Sequence, residues 1–98
     1  MMFSIKVSDY KDNSMLNICD ADILGSEIVQ DDLTMRISKG YYGERLVEET
    51  EASELLKKSS IINMAGKNTV SLSTRLGIGS KKGVRSISGI PFLIVFKT

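Results

Sequence analysis

The residues closest to chemistry in this sequence are two carboxylate pairs, Asp20/Asp22 and Asp31/Asp32. Closely spaced aspartates bind magnesium or share acid–base work. Asp20 and Asp22, bridged by magnesium to a phosphate-bearing substrate, are the one enzymatic reading that the residues leave open. Helix caps and turns account for the same residues without any chemistry. Most other catalytic machinery is missing. The chain has no histidine, which removes the Ser-His-Asp triad, the Cys-His dyad and the zinc helix motif. Its single cysteine, Cys19, can form neither an intrachain disulfide nor a cysteine-rich zinc site. Ser8 and Lys11 have Ser-x-x-Lys spacing, but in a turn that does not aim the lysine. Residues 77–83, Gly-Ile-Gly-Ser-Lys-Lys-Gly, miss both the dinucleotide and the Walker spacing and follow a helix where a phosphate loop would follow a strand. They read as a mobile basic loop. No catalytic residue, resident metal or cofactor is therefore expected.

Binding is better represented than catalysis. Residues 1–54 hold five cations and all twelve acids, a net −7, whereas residues 55–98 hold eight cations and no acid, a net +8. Folded onto one face, Lys57, Arg75, Lys81, Lys82 and Arg85 would suit phosphates. Interleaved with the acidic half, they would form no patch. Tyr41 and Tyr42, flanked by Gly40 and Gly43, are placed on a tight turn where exposed rings would stack on bases or anchor a protein partner. The same rings would also serve to cover the core. The expected partner is RNA or another protein, and the opposed charges also fit self-association.

The elements that must position these residues follow from periodicity. Phe3, Ile5 and Val7 alternate with polar residues, as do Leu33, Met35 and Ile37, so both segments read as strands; residues 15–19 form a second strand joined to the first by a hairpin. Asp20 starts a single helical turn ended by Gly25. Ala52, Leu55, Leu56 and Ile62 share one stripe, which predicts a helix over 51–65 that stops at Gly66. Asn68 caps a second helix carrying Val70, Leu72 and Leu76, closed by Gly77, so that the pair loosely resembles a helix-turn-helix. Residues 84–88 and 91–97 are the last strands. The run 92–96 has no polar face and is expected to be buried on both sides. Strands, then helices, then strands describe a single α+β domain over 1–98: a small antiparallel or mixed sheet with two to three helices against one face. The longest apolar run, 90–96, is far below the ~20 residues that span a bilayer. No membrane contact is expected, and the lone thiol favours the cytoplasm. The expected core comprises Ile5, Val7, Ile18, Met35, Ile37, Leu55, Leu56, Ile62, Leu72, Leu93 and Val95.

Five segments, Cys19-Asp20-Ala21-Asp22-Ile23-Leu24-Gly25, Tyr42-Gly43-Glu44-Arg45-Leu46-Val47, Glu51-Ala52-Ser53-Glu54-Leu55-Leu56, Ile62-Asn63-Met64-Ala65-Gly66-Lys67 and Gly89-Ile90-Pro91, stand in this order along nearly the whole chain. Together they resemble the archaeal family catalogued as domain of unknown function 424. The resemblance implies a small archaeal protein with no assigned activity, loosely associated with genes for translation, so that the expected protein partner is a translation-associated one. This chain departs from the family pattern in Phe92, where a polar residue (often histidine) is expected. It also departs in the basic loop before that strand, where relatives often carry acids. A site located there in relatives would be altered here.

Overall fold

The structure, a computed structural model, describes residues 1–97. Strands β1 (Met2–Tyr10) and β2 (Asn13–Asp20) form the predicted hairpin. Lys11 and Asp12 turn it with both residues at positive φ, the geometry that matches the twist of the flanking strands. A 3₁₀ turn at Ala21–Ile23 leads to a two-stranded ribbon, β3 (Glu27–Gln30) and β4 (Leu33–Arg36). Then come α1 (Lys39–Tyr42), β5 (Arg45–Glu48), α2 (Glu49–Lys58), β6 (Ile61–Ala65) and α3 (Lys67–Arg75). A second 3₁₀ turn at Lys81–Gly83 precedes the hairpin of β7 (Arg85–Ile87) and β8 (Ile90–Phe96). The fold is α+β. Its main sheet is larger than the small one expected: six strands in the order β5-β1-β2-β6-β8-β7, mixed because β2 and β6 run parallel while the other neighbours are antiparallel.

The main departure from the sequence reading lies in residues 51–65. The helix ends at Lys58, and Ile61–Ala65 is a strand in the middle of the sheet. A short inner strand with apolar residues on both faces presents the same residue pattern as the last turn of a buried helix. Because β6 separates α2 from α3, the helix-turn-helix reading falls. Residues 40–43, expected as a tight turn, form the end of the single helical turn α1 and its C-cap Gly43; the Ser38 hydroxyl caps the start by accepting from the Tyr41 N–H. The loop 77–83, expected to be mobile, is tied to α3: the Ser73 hydroxyl donates to the Ile78 carbonyl at 2.6 Å, and the Ile78 N–H donates back to the Ser73 carbonyl.

One face of the sheet packs Phe3, Ile5, Leu16, Ile18, Ile62, Met64 and Leu93 against Ala52, Leu55 and Leu56 of α2 and Val70 and Leu72 of α3. The other face carries a smaller core in which Cys19 and Ala65 meet Ile28 of the ribbon, Ile37, and Tyr42 of α1. Eight of the eleven expected core residues are buried; Val7, Met35 and Val95 are half-buried. Strand β8 is not enclosed on both sides as predicted, because Ile94 and Phe96 project from the second face into solvent.

Candidate functional site

The parallel strands β2 and β6 end side by side, with Cys19 in register with Ala65. From there the chain leaves in two directions, Asp20 into the 3₁₀ turn and Gly66 into α3. Asp20 ties the exits together. Its carboxylate accepts from the Asn68 N–H at 3.0 Å, from the Thr69 N–H at 2.7 Å and from the Thr69 hydroxyl at 2.7 Å. A carboxylate on the first amides of a helix satisfies free donors and opposes the helix dipole. The cap of α3 is thus a residue 48 positions before Asn68, not Asn68 itself as the sequence suggested. Gly66, at φ +110°, lies against the same carboxylate and donates its N–H to the Pro91 carbonyl at 2.9 Å.

Clefts surround this junction. One of about 210 Å³ is lined by Asp22, Lys67, Asn68 and the segment 89–91. Through Lys67 and Pro91 it continues into a furrow of about 380 Å³ between α3 and the β7–β8 hairpin, bordered by Val70, Ser71, Thr74, Lys81 and Val84. No carboxylate of the described residues lines that furrow. A wider groove, about 650 Å³, lies at the opposite margin between β5 and α2, where Glu48, Glu51 and Glu54 meet Arg45 and Lys58. Arg45 and Glu51 pair there at 2.6 Å. The Arg45 guanidinium holds the Glu51 carboxyl below its usual range.

Charged residues stand at both outer margins of the sheet. Glu48, Glu51 and Glu54 border the groove between β5 and α2 together with Arg45 and Lys58; Lys81 and Lys82 lie in the turn before β7 and Arg85 at its start, and Lys67 of α3 shares the furrow with Lys81. Among the described residues, one of the eight cations of the second half sits in an ion pair: Arg75, at 3.5 Å from Glu49 of α2. Lys57 lies apart, at the end of α2, where its carbonyl accepts from Lys97 Nζ. Lys67 was not singled out by charge reasoning, and only the resemblance segment that ends on it pointed there. Tyr41 remains 45% exposed. Tyr42 is buried in the second core, edge-to-face with Tyr41 at 4.9 Å, and presents no free ring face.

Burial, reinforced by Asp20 and Asp22, pushes the Cys19 thiol up to about 12, far from thiolate chemistry at neutral pH. Asp20 and Asp22 border the same clefts, but the Asp20 carboxylate is committed to α3 while Asp22 stands exposed. Among the described residues no group of three or more His, Cys, Asp and Glu side chains is placed to hold a metal ion. No helix among them is long and apolar enough to cross a membrane.

Three of the five resemblance segments converge on the junction of Asp20, Gly66 and Pro91, and two more meet in the Arg45–Glu51 pair. A family model described as "Protein of unknown function (DUF424)" matches residues 8–98. The chain belongs to the DUF424 family. The DUF424 fold also recurs in a solved structure, the crystal structure of an uncharacterized conserved protein from Methanopyrus kandleri. It aligns with a TM-score of 0.79 at 19% identity, covering 100% of this chain and 95% of that one. At that identity the likeness concerns the fold alone. No curated protein matches this DUF424 chain.

Proposed function

We propose that this DUF424 protein is a non-catalytic binding module whose basic margin grips the phosphate backbone of RNA. The observation that carries the reading is the furrow between α3 and the β7–β8 hairpin, where Lys67 and Lys81 stand beside the exposed Ser71 with no carboxylate. Lys82 follows Lys81 in the 3₁₀ turn and Arg85 starts the outer strand, and neither is in an ion pair among the described residues. Ammonium groups and serine hydroxyls are what phosphate oxygens accept from. The amides at the start of α3 take no part, since Asp20 already holds them.

Fluorescence anisotropy with labelled RNA, titrated over a range of salt concentrations, tests the proposal. The logarithm of affinity should fall linearly with the logarithm of salt, and the double variant Lys81→Ala/Lys82→Ala should flatten that slope by up to about two. No binding at low salt, or a slope that the double variant leaves unchanged, overturns it.

A further inference from the structure

The second face of the sheet is only partly covered. Tyr42 of α1 and Ile28 of the β3–β4 ribbon lie over the row that contains Cys19 and Ala65. Beyond that row, two ladders of paired residues run across the strands on the same face. One is Met15–Ile61–Phe96; the other is Asn17–Asn63–Ile94. Along them Ile94 is 59% exposed and Phe96 70% exposed, with Ile61 and Met15 half-buried beside them. These are neighbours on one pleated surface, not scattered apolar residues.

We propose that this free strip is a stacking surface for the unpaired bases of a single-stranded RNA, an inference that rests on the RNA reading of the basic margin. Three features point to that occupant. First, the strip adjoins the basic margin: Arg85 shares a cleft of about 230 Å³ with Phe92 and Ile94. A strand held by its phosphates on Lys81, Lys82 and Arg85 brings its bases over β8. Second, on this face the registers from β1 to β7 place no carboxylate and two charged side chains, the cations Lys6 and Arg85. Third, the strip contains a fixed amide. Asn63 Nδ2 donates to Asn17 Oδ1 at 2.8 Å, and Asn17 Nδ2 donates to the Tyr41 carbonyl at 3.0 Å. This relay holds the Asn63 side chain while leaving its own Oδ1 and second N–H for the edge of a base. A flat aromatic ring, a branched aliphatic and an amide beside a cationic margin are what an unpaired nucleotide uses and what a duplex, with its bases stacked inside, does not.

The chain has no tryptophan, so Phe96→Trp places a single reporter on the strip. With an oligouridylate of about ten nucleotides, its fluorescence should be quenched on binding. Phe96→Ala should weaken binding of the same oligonucleotide about five- to a hundred-fold, leave the salt slope unchanged, and leave duplex RNA binding unaltered. Unquenched fluorescence from the Phe96→Trp variant, or an affinity indifferent to Phe96→Ala while Lys81→Ala/Lys82→Ala still flattens the slope, overturns the stacking surface and leaves the RNA reading standing. Equal losses for single strand and duplex overturn it too, as does a dimer in sedimentation that Phe96→Ala dissolves. Failure to bind any RNA at low salt overturns both proposals. Because Phe96 is largely exposed, an unchanged thermal midpoint for Phe96→Ala will show that the variant is folded.

Discussion

The Asp20 carboxylate fills the space that a side chain at Gly66 would need. Any β-carbon at Gly66 collides with the group that caps α3, and the φ of +110° with ψ 152° is a conformation that essentially glycine alone adopts. Gly66→Ala should therefore cost about 2–4 kcal/mol, combining backbone strain with a displaced cap. Gly25 separates the two effects. It also has a positive φ, +90°, but nothing lies within reach of an added β-carbon. Gly25→Ala should thus show the backbone cost alone, about 1–2 kcal/mol in a urea titration. Equal losses at the two positions would show that the carboxylate contact carries no energy.

The opposite side of this contact is tested at Asp20 itself. Two of its three accepted hydrogen bonds are buried and the third is half-buried, so Asp20→Ala leaves the Asn68 and Thr69 donors without partners and should cost about 2–4 kcal/mol. Asp20→Asn keeps one acceptor oxygen and should lose less. Amide hydrogen exchange localises the effect: Asn68 and Thr69 should exchange faster in both variants, ahead of the amides of β6.

Stability at high pH should depend on Cys19 and Tyr42. Burial raises the Cys19 thiol from 9.0 to about 12 and pushes the Tyr42 phenol upward in the same way. In each case the unfolded chain ionises first. The stabilisation is fully present below the unfolded value and is lost as pH rises towards the folded one. The denaturation midpoint should thus decline between pH 9 and 12, and Cys19→Ala should shallow the decline. A thiol reagent at a pH of about 8 should modify the native protein slowly, and urea should accelerate it. Rapid native labelling would show that the second core opens more readily than its packing indicates.

How legible the fold was depended on how local each signal was. The alternation of Phe3, Ile5 and Val7 and the Ala52–Leu55–Leu56 stripe each report on one element, and both were read correctly. Ile61–Ala65 misled because apolar residues on both faces of an inner strand also fit a helical stripe, and Ser59-Ser60 is a weak break. Strand β5 went unseen because a four-residue edge strand with one buried side chain, Val47, leaves almost no pattern. Strand β8 was read as doubly buried because sequence hydrophobicity does not say whether anything covers Ile94 and Phe96. The candidate site was legible only in pieces. Asp20 looked like a cap for the turn that follows it, and nothing local says that it caps a helix 48 residues on. The charge split was plain in the sequence, but only the sheet order shows that β5 and β7 are opposite edges of one sheet.

That edge-to-edge layout allows the cations to be ranked. If RNA reads only net charge, then Lys57→Ala, Arg75→Ala, Lys67→Ala and Lys81→Ala should each weaken binding alike, because each removes one positive charge. The geometry predicts otherwise. Lys67 and Lys81 line one furrow free of carboxylates, so each substitution should reduce the salt slope by about one. Arg75 is already held by Glu49, and Lys57 stands at the far end of α2, so neither should change the slope measurably. All four side chains are exposed, and circular dichroism should confirm four folded variants. A slope that falls equally in all four would replace a defined phosphate track with diffuse attraction. A fall confined to Lys67 and Lys81 would place the backbone in the furrow beside α3.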